Sequence, residues 1–239
     1  MAVVICLDAG HGGHDSGATR WGLQEKERVL KLVLKVGKYL SEGYEGVKVI
    51  YTRTNDTYKS LSYRADYANS KGADYFYSFH INSAADDDAH GYESFVYTSV
   101  KKETLNVQSK IHNKVVSYLK KYGITDRGKK KANFFVLRFT KMPAVLFENL
   151  FISNRRENNL LRDESFLNGL AKAYADAIAN CHDLKPKAKK PAPSPAPVEK
   201  PGYVWAVQAG AYSDEKGAKE QVEKLKKAGF SAYYYKKEL

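Results

Sequence analysis

At 239 residues the chain has room for one domain of ordinary size and a small second unit. With 43% hydrophobic and 28% charged residues and a mean hydropathy of −0.53 it has the composition of a soluble globular protein, and no apolar run is long enough for membrane insertion. A net charge of +12 and pI of 9.4 predict attraction to a polyanion, nucleic acid or an anionic cell wall. No helix-turn-helix, zinc-finger or RNP pattern is present, so nucleic acid is not the expected partner. Two cysteines, Cys6 and Cys181, make neither a disulfide framework nor a paired zinc motif. Asp8 follows closely on the N-terminus without a basic region or cleavage site before it, so synthesis in the cytoplasm without a signal peptide is expected.

The chain opens with an apolar, largely β-branched run, Val3 to Leu7, followed by Asp8-Ala9-Gly10-His11-Gly12-Gly13, which reads as a buried strand and a tight glycine loop carrying a histidine. Glu25 opens a helix to about Glu42, with Val29, Leu32, Val33, Val36 and Leu40 as its core face. A second strand covers Val47 to Thr52, and Ser60 caps a helix to Ser70 with Leu61, Ala65 and Ala68 inward. The third strand, Ala73 to His80, completes a β-α-β-α-β order that argues for a mainly parallel sheet covered on both faces. A strand from Gly91 to Tyr97 and a helix from Glu103 to Tyr122 continue the pattern. Lys129-Lys130-Lys131 reads as a solvated loop, Asn133 to Leu137 as a short strand, Met142 to Phe147 as a buried strand running into Glu148, and Ser165 to Asn180 as the closing helix.

From Asp183 to Gly202 lie six of the seven prolines, mixed with Lys and Ala, which marks a semi-rigid linker. Tyr203 to Ala209 then reads as a strand, Ser213 as a helix cap, Ala218, Val222 and Leu225 as an inward face, Gly229 as a stop and Ser231 to Tyr235 as a strand. The expected organisation is therefore a domain over 1–182, a linker over 183–202 and a small β-α-β unit over 203–239.

His11, His80 and Glu148 all fall at carboxyl ends of predicted strands, and Glu25 opens the helix after one of them. Two imidazoles and one carboxylate make an open three-ligand zinc site, and the remaining carboxylate is free to act as base. Taken one at a time, these residues have ordinary structural readings; their joint placement favours chemistry. His14, His90, His112 and His182 are expected to be structural, as are Arg53 and Arg64, which read as ion-pair formers. Asp8 and Asn82 stand beside the ligand positions, where a partner for an imidazole or a substrate contact would lie.

Asp8 to Gly13, Gly17-Ala18, Glu25-Lys26, Thr52-Arg53, Arg64 to Asn69, Ser78-Phe79-His80-Ile81-Asn82 and Val145 to Glu148 together resemble the zinc-dependent N-acetylmuramoyl-L-alanine amidases of the third amidase family, over residues 1 to 180. The resemblance implies an α/β fold with a central mixed sheet, Zn2+ held by His11, Glu25 and His80, Glu148 as the catalytic carboxylate, and peptidoglycan and anionic wall polymers as partners. Ala9 stands where the family usually has proline, and Leu150 stands two places after the catalytic Glu, where the family often has a small residue, at the expected pocket floor. The tail from Tyr203 to Lys237 is similar to the first half of the sporulation-related (SPOR) repeat that binds glycan strands. A half-repeat leaves open sheet edges, so a homodimer through this unit is expected. The rival readings are a zinc peptidase cutting within the stem peptide and an inactive wall-binding protein. A cytoplasmic amidase of this kind fits an endolysin released through a holin pore or an enzyme freed by mother-cell lysis.

Overall fold

The computed structural model describes residues 2–188, 214–230 and 232–234. Within the unit Met1–Lys187 the elements run β1 (Val3–Ala9), β2 (Thr19–Arg20), β3 (Leu23–Gln24), α1 (Glu25–Gly43), β4 (Val47–Tyr51), α2 (Leu61–Ser70), β5 (Tyr75–Asn82) and β6 (Tyr92–Val96). They continue as α3 (Lys102–Leu119), a 3-10 turn (Lys120–Tyr122), β7 (Asp126–Lys131), α4 (Phe135–Phe139), β8 (Ala144–Phe151), α5 (Arg155–Arg162) and α6 (Glu164–Cys181). Six strands form one sheet in the order β4-β1-β5-β8-β6-β7, and β2 and β3 form a separate hairpin. Every pairing in the large sheet is parallel except β6 with β8, giving the mainly parallel mixed sheet that the alternation of apolar strands and amphipathic helices predicts.

The two faces of the sheet are unequal. α1, α3 and α6 supply the larger core, where Val29, Val33, Val36, Ile111, Val115, Leu170 and Ile178 meet Ile5, Leu7, Phe79 and Phe147. α2 and α4 cover a smaller core built on Cys6, Phe76, Ala144 and Leu146, to which they contribute Ala68, Val136 and Leu137. Further along β1, β5 and β8 the same alternation turns polar, to Asp8, Ser78, His80 and Glu148. The carboxyl ends of these strands therefore gather polar and titratable side chains on the thinly covered face.

Helix starts follow ordinary capping chemistry. The Ser60 hydroxyl accepts from Tyr63 N at 3.1 Å, the Asn154 side chain from Glu157 N at 3.2 Å, and Asp163 from Ser165 N and Phe166 N. Leu61, expected inward, is 53% exposed. It is the first residue of α2, whose buried residues are Arg64, Ala65 and Ala68.

Three local expectations change. Asn133 to Leu137 is not a strand: Phe134 caps the short helix α4, which buries Val136 and Leu137 and exposes Phe135 and Phe139. A four-residue apolar run, Phe134 to Leu137, has too little length for its period to separate helix from strand. Lys129-Lys130-Lys131 is not a loop but the end of β7, an edge strand whose charged side chains hide it from any search for apolar alternation. Residues 183–187, read as linker, are held to the body of the unit: Leu184 N donates to Ala179 O at 2.9 Å, Glu45 N to Lys185 O at 2.8 Å and Lys187 N to Gly43 O at 2.8 Å. The boundary accordingly falls after Lys187.

In the second unit the described residues hold α7 (Glu215–Lys227), capped by Asp214, whose side chain accepts from Gly217 N at 2.8 Å, and stopped by Gly229 at φ +89°. Val222 is its buried residue. The strand expected over 203–209 lies outside the described residues, as do both ends of the one expected over 231–235. No described helix is long and apolar enough to cross a membrane.

Candidate active site

The loop after β1 needs three glycines for separate reasons. Gly12 (φ +127°) and Gly13 (φ +60°) occupy conformations that L side chains rarely adopt. Gly10 has no such strain, but a Cβ there would sit 2.3 Å from Cε1 of His80, so the bare backbone is what lets β5's imidazole swing over β1. His11 itself is held at φ +60°, which costs of order 1 to 3 kcal/mol and persists only if the surroundings enforce it. They do so through two arginines. Arg53 donates Nε to Ala9 O (2.9 Å) and Nη2 to Gly10 O (2.7 Å) and Lys26 O (2.8 Å). Arg64 donates to Ala9 O and, through Nη2, to His11 O at 2.6 Å. Arg64 also pairs with Asp8, as its reading as an ion-pair former predicts; Arg53 instead binds backbone carbonyls.

His11, Glu25 and His80 come together, with one ligand atom from each lying within 4.8 Å of the others. His11 Nε2 and His80 Nδ1 both stand 3.1 Å from Oε1 of Glu25. Metal bonds of 2.0–2.1 Å at tetrahedral angles place neighbouring ligand atoms about 3.3 Å apart, so a donor set of two imidazoles and a carboxylate at these separations fits a zinc-sized ion. Glu25 is positioned by backbone donors, Ala18 N to Oε2 and Ile81 N to Oε1, each at 2.9 Å. Burial alone would raise its pKa, but the hydrogen bonds and charge of His11 and His80 outweigh it and hold the carboxyl well below its ordinary range.

The partner that orients His11 is a residue the sequence reading passes over. Asp15 Oδ2 lies 2.9 Å from His11 Nδ1, while its Oδ1 accepts Gly17 N at 3.0 Å, leaving Nε2 for the shared centre. The only local signal is a carboxylate four residues after the histidine. Asp8, which stands beside the ligand positions in sequence, is sealed in the protein, receiving Thr52 Oγ1 (2.6 Å), Ser78 Oγ (2.6 Å) and Arg64 Nη1 (2.7 Å). Asn82 faces Glu93, donating Nδ2 to Oε1 at 2.6 Å.

Glu148 is directly opposite His80 across β5 and β8, and opposite Glu93 across β6 and β8. Its Oε2 is buried with no hydrogen-bond partner among the described residues. Burial first, then the charges of Glu25 and Glu93, push its pKa well above the ordinary carboxyl value. An orphaned buried carboxylate oxygen next to three convergent donors is a group placed to exchange a proton with something bound there. Leu150 does not floor this pocket: at φ +70°, where the β5 to β8 register shifts, its side chain packs in the larger core. His112 is structural, bonded to Ser94 Oγ and Asp126 Oδ1.

Similarity to known proteins supplies the family. The N-acetylmuramoyl-L-alanine amidase family description matches residues 5–180, and the SPOR domain description matches residues 201–238. An endolysin of Bacillus phage SPP1 is 47% identical over 195 residues, covering 81% of this chain and 71% of that protein. A sporulation-specific N-acetylmuramoyl-L-alanine amidase of Bacillus subtilis (strain 168) is 38% identical over 230 residues, covering 96% and 83%. The solved catalytic domain of the amidase CwlV from Bacillus (Paenibacillus) polymyxa var. colistinus superposes with a TM-score of 0.72 at 34% identity, over 77% of this chain and 99% of that one. With its strand order, its loop histidine and its paired carboxylates, this chain belongs to the N-acetylmuramoyl-L-alanine amidase family.

Proposed function

We propose that the chain hydrolyses the amide between N-acetylmuramic acid and the L-alanine of the peptidoglycan stem peptide, with Zn2+ held by His11, Glu25 and His80 and with Glu148 as the catalytic carboxylate. The observation that carries this reading is the unpartnered Oε2 of Glu148, one strand away from His80. A bound zinc supplies Lewis acidity toward the scissile carbonyl and lowers the pKa of water at the site toward neutrality. Asp15 keeps the His11 ring in one tautomer, and Glu25 is locked by two backbone donors. Glu148, with its raised pKa, takes the proton of the attacking water and gives it to the departing amine.

Digestion of purified wall followed by mass spectrometry tests the bond assignment: new amines on L-alanine with intact peptides are expected. Amines on internal residues would instead mean a peptidase, and no release from wall a binding protein. Glu148→Gln should keep one zinc per chain and lose about 10² to 10⁴ in turnover. Retention of most activity would overturn the assignment of Glu148.

The match of the tail to the SPOR domain supports attachment to peptidoglycan, and the basic balance of the chain supports attraction to anionic wall polymers. The relative named as a phage endolysin supports a site of action at the cell wall reached after release from the cell interior. The short tail, 38 matched residues, is further read as pairing with a second copy through a twofold interface. Light scattering should then give a dimer for the full chain and a monomer after truncation at Lys187; a monomer in both would remove the dimer.

A further inference from the structure

Beside Glu148, on the side away from Glu25, the sheet carries a charged cluster that the hydrolysis as described does not use. Glu93 is 5% exposed and faces Glu148 in register. Its Oε1 accepts from Asn82, and its Oε2 accepts both Arg127 Nε, at 3.1 Å, and Lys130 Nζ. The Arg127 guanidinium also lies 4.8 Å over the Phe151 ring and donates Nη1 to His90 O at 3.3 Å. One buried anion thus aligns two cations, which remain 35% and 40% exposed.

Edge protection accounts for part of β7's charge, since Lys129 turns to Ser109 and Asn113 of α3. It does not account for Arg127 and Lys130, which converge on a residue of Glu148's own row. Two cations against one carboxylate leave a net positive charge there, and each cation has more donors than Glu93 and His90 O can use. The substrate's polarity gives the cluster its place. The scissile carbonyl belongs at the His11, Glu25 and His80 centre and the departing amine at Glu148, so the peptide leaves past Glu148 toward β6 and β7. Strands are about 4.8 Å apart and an extended peptide advances about 3.3–3.6 Å per residue, which brings the second residue after the cleaved bond alongside Glu93.

We propose that Arg127 and Lys130, aligned by Glu93, form an anion subsite that receives the free α-carboxylate of the second stem-peptide residue. The inference rests on the amidase reading above. Its test uses two muramyl dipeptides that differ only in whether that α-carboxyl is free or amidated, with zinc-loaded full-length protein. The free acid should be cleaved with a kcat/KM about tenfold or more above that of the amide, as befits a charge-assisted hydrogen bond. Lys130→Met should reduce that ratio toward one, and Lys130→Arg should restore most of it. The same preference should appear in the Kd of the uncleaved pair for Glu148→Gln protein. Equal kcat/KM for the two dipeptides with wild type, or an undiminished ratio in Lys130→Met, overturns the subsite. Failure to cleave either dipeptide, with wall also left intact, overturns the amidase reading instead.

Discussion

Arg64 joins Asp8 to His11: its Nη1 lies 2.7 Å from Asp8 Oδ1 and its Nη2 lies 2.6 Å from the His11 carbonyl. A buried ion pair on β1 and α2 is thereby connected to the backbone of the loop that presents the first histidine. Both side chains are almost wholly inaccessible, so removing one leaves the other charge unpaired in the interior. Arg64→Met should therefore destabilise the catalytic unit by about 3 to 5 kcal/mol, read by denaturant unfolding, and should weaken zinc binding as the loop loosens.

The same pair sets a pH dependence. Burial opposes ionisation of Asp8, but the charge of Arg64 and the hydrogen bonds from Ser78 and Thr52 outweigh it and depress the pKa below its ordinary value. A depressed carboxyl contributes stability that is present above the unfolded-state pKa, about 3.9, and is lost as pH falls through the folded value. The stability gap between wild type and Asp8→Asn should be constant above about pH 5 and narrow below about pH 4. A gap that widens on acidification would contradict this account.

Gly10→Ala offers a way to displace a proposed ligand without changing one. The new methyl group would fall 2.3 Å from His80 Cε1, so the ring must move. Zinc content after dialysis should drop well below one per chain while the far-ultraviolet circular dichroism stays that of wild type. A Gly10→Ala protein that retains zinc with unchanged affinity would show that His80 is not held at the centre.

The chain should also divide in a defined place. Residues through Lys187 are tied to α1 and α6, whereas the sequence beyond is dense in Pro and Lys. Limited proteolysis is expected to cut between 188 and 202, and the fragment 1–187 should retain zinc and cleave soluble muropeptides. It should bind walls more weakly than the full chain. Loss of fold in the fragment would move the boundary.

Sequence periodicity carries far in this protein because its main strands and long helices bury regular faces. Val3 to Leu7, Tyr75 to Phe79 and Val145 to Phe147 announce strands by apolar runs, and a polar residue at the end of such a run, as with His80 and Glu148, stands out against it. That is why His80 and Glu148 stand out as candidates in the sequence, and why the α/β class is legible too; His11 is marked instead by its glycine loop and Glu25 by opening α1. The resemblance adds the chemistry those positions would share.

Other features have no local signature, because they depend on which distant segments meet. β7 is five charged residues and a glycine, loop-like by composition, and only its hydrogen bonding to β6 makes it a strand. Asp8 stands beside the ligand positions in sequence, yet Thr52, Ser78 and Arg64 close around it, and Asp15 carries no mark until the loop folds its carboxylate back onto His11. The antiparallel register of β6 on β8 is what brings Glu93 opposite Glu148. The sequence by itself determined the residues with exceptional chemistry at the ends of buried strands, since burial pattern is written in period two and period 3.6. Only the tertiary structure decided their partners, since strand order and register are settled by the packing of the whole sheet and leave no mark on any single segment.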